Sequence, residues 1–227
     1  MAKILPKKLP KHFWTEDSGL TSMMILLCIS NFIVIPFFSK HPLIQLFIRI
    51  FWVILLFAGI TTLSKDKRQM RIFSTILILM IGVNCIRFFR DNQLLLYADF
   101  VVDVASFLLL IGMVFLKVFA GGSVTIHRIV GAVVVYMLIG NLWAISFQFL
   151  YFNLPGSMQL PTASADSMPT PAAFLYFSYT TLTTTGYGDF LPVSALARTL
   201  AIIEQLIGVL YPVILIGRLV SLKVEKS

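Results

Sequence analysis

Apolar residues in this chain come in long, nearly unbroken runs rather than in alternating or one-sided patterns. Six of them, 20–38, 43–63, 72–89, 94–119, 126–152 and 195–222, are close to the roughly 20 residues an α-helix needs to cross a hydrocarbon core. A further run, 172–182, is apolar but too short to cross. It follows residues 154–171, rich in Pro, Ser and Thr, which read as an extramembrane loop. The short run is therefore expected to dip into the membrane as a helix and return. Backbone that follows such a helix must line a water-filled path or be buried in protein. The pattern predicts an all-α membrane protein with six transmembrane helices and a re-entrant helix between the fifth and sixth.

Composition agrees. The 227 residues are 58% hydrophobic and 12% charged, with mean hydropathy +0.91, whereas a soluble domain carries roughly 25% charged residues. A net charge of +8 raises the question of nucleic acid. The cations, however, sit beside the apolar runs, as in Lys3, Lys7, Lys8 and Lys11 or Lys65, Lys67, Arg68 and Arg71. That is where charge sets membrane topology, and no stretch is long enough to be a soluble nucleic-acid module. Cys28 and Cys85 lie inside apolar runs and read as small apolar side chains.

The first run is too long for a signal peptide and has no small-x-small site after Phe38, so it reads as retained. Placing residues 1–19 in the cytoplasm puts Lys65 to Arg71, Lys117, Arg128, Arg218, Lys223 and Lys226 inside. Little beyond Lys40 and Arg90 is left outside. The short helix then enters from the outer face. A multi-pass protein of the cell membrane follows, with both termini cytoplasmic and 223–227 as a short tail. That tail leaves no room for a soluble ligand-binding domain.

After the short run comes Thr184-Thr185-Gly186-Tyr187-Gly188-Asp189. A strand whose successive carbonyls all point one way needs alternating backbone conformations that most L-residues resist. Gly186 and Gly188 adopt them without a Cβ penalty, and Thr184 adds a hydroxyl. The helix before the strand would aim its carbonyl end, with its partial negative charge, at the same point. An ordinary polar loop here would leave backbone groups unsatisfied at membrane depth.

The stretch from Phe177 through Asp189 resembles the pore-helix and selectivity-filter signature of the potassium-channel superfamily. Together with His127-Arg128-Ile129-Val130-Gly131-Ala132 and the stretch around Glu204 to Pro212, residues 125–222 look like the pore domain of small bacterial ion-channel proteins. The resemblance implies a homotetramer passing K+ passively through a ring of backbone carbonyls. Ion coordination would fall to Thr184, Thr185, Gly186, Tyr187 and Gly188, with Asp189 bracing the mouth and Tyr176 and Phe177 forming a supporting cuff. Thr185 stands where Val or Ile is frequent, and Thr180 where some members carry Glu. In the sixth span Gly208 and Pro212 are either a gating hinge or, for Gly208, a point of close packing. Glu204 either packs behind the pore or responds to protons.

Residues 20–120 form a four-helix attachment that departs from a standard voltage sensor. The fourth run carries Asp99 and Asp103 and no Arg. Arginines fall instead at Arg49, Arg87 and Arg90. Asp99 and Asp103, one turn apart, are expected to pair with Arg87 or Arg49, either to hold the bundle together or to sense voltage weakly. No Walker loop, Ser/His/Asp arrangement or metal cluster is present, so neither enzymatic activity nor a cofactor is expected. The alternatives are a non-conducting or weakly selective membrane sensory or scaffold subunit, or a component of a potassium transporter.

Overall fold

The computed structural model describes residues 13–38, 92–119, 125–160 and 170–224, together with positions 48, 50–54, 71, 74, 75, 77–79, 81–83 and 86. Helix α1 (Phe13–Ile29) runs into a π-helical segment, Ser30–Val34, and continues as α2 (Ile35–Phe38). Then come α3 (Gln93–Phe119), α4 (Ile126–Asn153), a two-residue strand β1 (Met158–Gln159), α5 (Pro171–Leu182), strand β2 (Leu191–Pro192) and α6 (Ala195–Val224).

Among the described residues four stretches are helical, long and apolar enough to cross a membrane: Gly19–Phe38, Gln93–Phe119, Ile126–Asn153 and Ala195–Arg218. These coincide with the first, fourth, fifth and sixth apolar runs. The greater part of the second, 43–63, and half of the third, 72–89, fall outside the described residues. The described part is thus an all-α membrane protein. Helix α5 has 12 residues; at about 1.5 Å per residue it falls well short of the bilayer core. Pro171 at its first turn needs no hydrogen-bond partner for its nitrogen, which fits a helix start.

Helix α4 is the hub, packed against α1, α3, α5 and α6. Its Val134, Val135 and Leu138 join Leu27 of α1, Leu110, Val114 and Val118 of α3 and Leu182 of α5 in the main core. A second cluster of Phe147, Leu150, Phe174, Phe177, Ala197 and Ala201 joins α4, α5 and α6 on the side of β1 and β2. Of the four spans α4 is the most enclosed and α6 the least. On α6 the buried positions are Ala197, Ala201, Glu204, Gly208 and Tyr211. Their spacing of four, three, four and three traces one helical stripe. Around it Ile202, Leu206, Val209, Val213, Ile216 and Val220 are exposed.

The described residues just after α4 pair with those just before α6. β1 and β2 pair antiparallel with Met158 opposite Pro192 and Gln159 opposite Leu191. Ser157 O accepts from the amides of Val193 at 2.8 Å and Ser194 at 3.1 Å. Pro192 lacks an N–H and is tolerated because it sits at the edge of a two-stranded ladder.

Candidate functional site

The stretch after α5 stays bound to that helix at its start. Thr183 N donates to Tyr179 O at 3.0 Å and Thr184 N to Thr181 O at 2.9 Å. Thr180 O then accepts from both Thr185 N at 2.8 Å and Gly186 N at 3.1 Å. From there the backbone alternates. Thr184, Gly186 and Gly188 have φ of 58°, 51° and 78°, while Thr185 and Tyr187 between them do not enter the positive-φ region. Glycine occupies this region freely, but a β-branched residue there is an outlier. Thr184 is the single non-glycine residue with positive φ among the described residues. Its strain is held by the hydrogen bond its N–H donates to Thr181 O and by its neighbours: Thr183 Oγ1 donates to Tyr179 O at 2.7 Å and lies 2.9 Å from Thr185 Oγ1. Residues 183–189 are all exposed on the single chain.

Aromatic rings stand behind this strand. Tyr176 lies nearly parallel to Tyr187, with centroids 6.2 Å apart and an interplanar angle of 6°. Phe190 packs against both Tyr176 and Phe177, and Phe177 meets Phe147 of α4 edge-on at 4.8 Å. Desolvation and the hydrogen bond it gives Asp189 push the Tyr176 hydroxyl up to about 12. It remains a protonated donor at any physiological pH. Asp189 Oδ1 also accepts from Phe190 N at 3.0 Å. Tyr176 therefore touches both Tyr187 and Asp189, while Phe177 joins this group through Phe190.

At the other end of α5, Leu182 O accepts from Tyr136 Oη of α4 at 3.2 Å. Gly208 of α6 lies against the same carbonyl: a Cβ there would collide with Leu182 O and come within 2.8 Å of its carbonyl carbon. Glycine at this point is a requirement of close approach. Four residues on, Pro212 lies within the continuous helix, so the Gly208 carbonyl has no helical amide to receive. The two residues expected as a hinge are thus one local feature, the glycine set by contact and the proline by a missing donor. Tyr211 Oη ties α6 to Ala132 O of α4 at 2.9 Å.

Two polar links were not legible as such. Ser178, in mid α5, lies 2.6 Å from Glu204 Oε1 and 2.7 Å from Gly140 O. Asn31, in the π-helical segment, donates to Tyr179 Oη at 2.9 Å, and that hydroxyl donates to Met137 O at 3.2 Å. The available signal was a polar residue inside an apolar run, which names a residue but not its partner. Of the expected intramembrane charge network, Asp99 is buried and Asp103 half-buried on α3. Arg49 and Arg87 lie outside the described residues. Among the described residues no group of His, Cys, Asp and Glu is arranged to hold a metal ion.

Residues 124–224 match a protein-family model described as "Ion channel". No curated protein and no solved structure matches the chain.

Proposed function

We propose, from the match of residues 124–224 to an ion-channel family model, that the chain is one subunit of a potassium-selective homotetrameric channel giving passive K+ flux. The observation that carries this reading is the alternation of left-handed backbone at Thr184, Gly186 and Gly188. Alternation turns successive carbonyls toward one side, and a ring of such carbonyls replaces the hydration shell of a cation. In this reading α5 is a re-entrant pore helix, and Thr184, Thr185, Gly186, Tyr187 and Gly188 supply the ligands. Tyr176, Phe177 and Asp189 hold the strand at its diameter.

One strand supplies one side of such a ring, so four copies close it. Two features support assembly: the exposure of residues 183–189 and the enclosure of α6 along a single stripe. The remaining faces of α6 are then shared among the pore, neighbouring subunits and lipid. K+ is the permeant ion, not a resident cofactor. The channel sits in a cell membrane, a bacterial inner membrane on the resemblance, with both termini cytoplasmic. Residues 20–120 are attached to it without the cation-rich helix of a voltage sensor.

Purified protein in liposomes tests the reading. The expected result is K+ flux with Na+ excluded, and cross-linking that stops at a tetramer. Absence of flux across a range of voltage, pH and membrane tension would overturn it.

A further inference from the structure

Glu204 is fully buried, 0% exposed, at the centre of the α6 stripe. Its one hydrogen-bond neighbour among the described residues is Ser178 Oγ, which also lies 2.7 Å from Gly140 O. A serine hydroxyl has one proton, and a backbone carbonyl can only accept. Were Ser178 to give its proton to Glu204, two oxygens without a hydrogen between them would face each other at the Gly140 contact. If Ser178 gives it to Gly140 instead, the 2.6 Å contact to Glu204 must be closed by a proton that Glu204 carries. Only the second assignment satisfies both contacts.

The surroundings agree with it. Glu204 Oε2 is buried with no hydrogen-bond partner among the described residues. A carboxylate oxygen left so is far more costly than the carbonyl oxygen of a neutral acid. No cationic side chain among the described residues acts on Glu204. From the packed helices the titratable group that does is Tyr136 of α4, whose hydroxyl is already given to Leu182 O.

We propose that Glu204 stands in this fold as the neutral acid, donating to Ser178 Oγ while Ser178 donates to Gly140 O. This chain of two protons joins α6, α5 and α4 and makes Glu204 a positioning residue for the filter. The structural half is independent of conduction, while the functional half rests on the channel reading above.

Infrared spectra of the full chain in lipid at neutral pH, compared with Glu204→Gln, read the proton directly. The expected difference is a protonated-carboxyl band present in the native protein and missing in the variant. No difference in that region overturns the proposal. Flux reads the role: an amide also donates to Ser178, so Glu204→Gln is expected to keep flux and K+/Na+ ratio within about twofold of native, while Glu204→Ala loses about tenfold. A Glu204→Gln channel as impaired as Glu204→Ala would mean that the negative charge matters, and a native-like Glu204→Ala would remove the positioning role. If the native protein itself fails to conduct, the channel reading falls, and the infrared comparison still decides the proton.

Discussion

Asn31 and Tyr179, 148 residues apart in sequence, share a 2.9 Å hydrogen bond that fastens the first span to α5, the helix that leads into residues 183–189. Asn31 lies in Ser30–Val34, which is wound as a π-helix, a form that occurs mostly as single turns within α-helices. Asn31 is buried there and Tyr179 Oη passes the link on to Met137 O. The first span therefore has a direct polar connection to α5 and, through it, to α4.

Tyr179→Phe removes that connection while keeping the ring. It should lower the stability of the folded protein by about 1–3 kcal/mol, because a buried amide loses its partner. Thermal unfolding in detergent measures the loss. Asn31→Leu, which removes both the donor and an Oδ1 that has no partner among the described residues, should cost less than Tyr179→Phe, and the opposite order would place the main interaction elsewhere.

For Gly208→Ala the two readings of the glycine predict opposite signs. In a helix free to bend, alanine would stabilise by about 1 kcal/mol. Against the Leu182 carbonyl it forces α5 and α6 apart, at a cost of about 1–3 kcal/mol. The close approach seen here predicts destabilisation together with loss of K+ flux. A stabilised, conducting variant would restore the hinge.

Tyr176→Phe keeps the stack on Tyr187 and deletes the bond to Asp189. The variant should fold and conduct, with the K+/Na+ permeability ratio lowered several-fold, consistent with about 1 kcal/mol for a lost hydrogen bond. Bi-ionic reversal potentials read the ratio. Because the hydroxyl stays protonated up to about 12, the native ratio should be flat between mildly acidic and mildly alkaline pH. A step in that range would point to another titrating group.

Voltage response should be shallow. Moving one charge through 100 mV supplies about 2.3 kcal/mol, and α3 carries Asp99 and Asp103 with no arginine. Conductance–voltage curves should lack the steep rise produced by several moving cations per subunit. A large gating current abolished by Arg87→Gln would contradict this.

Much of this was readable from the sequence for a physical reason. Span length and the Gly186–Gly188 pair report local constraints, bilayer thickness and backbone handedness, that a residue carries wherever it packs. The partners of Ser178, Asn31 and Glu204 depend instead on how α1, α4, α5 and α6 are laid together. Apolar runs are too uniform to encode rotation about a helix axis. The π-helical segment was invisible for the same reason, since Ser30 and Asn31 sit in a run otherwise suited to a regular helix. Gly208 was ambiguous because a hinge and a close contact ask for the same residue, and only the Leu182 carbonyl separates them.

The alternation at residues 184, 186 and 188 can also be stated as stereochemistry. Three alternate residues take the conformation natural to D-amino acids, so the strand is of mixed hand although every chiral residue in it is L. Gly186 and Gly188 escape the conflict by being achiral, and Thr184 bears it. A D-alanine placed at 186 or 188 by semisynthesis should therefore be accommodated where L-alanine is not, with the same bulk in both cases. The strand's demand is for mirror-image geometry, and smallness is only the way a ribosomally made chain meets it.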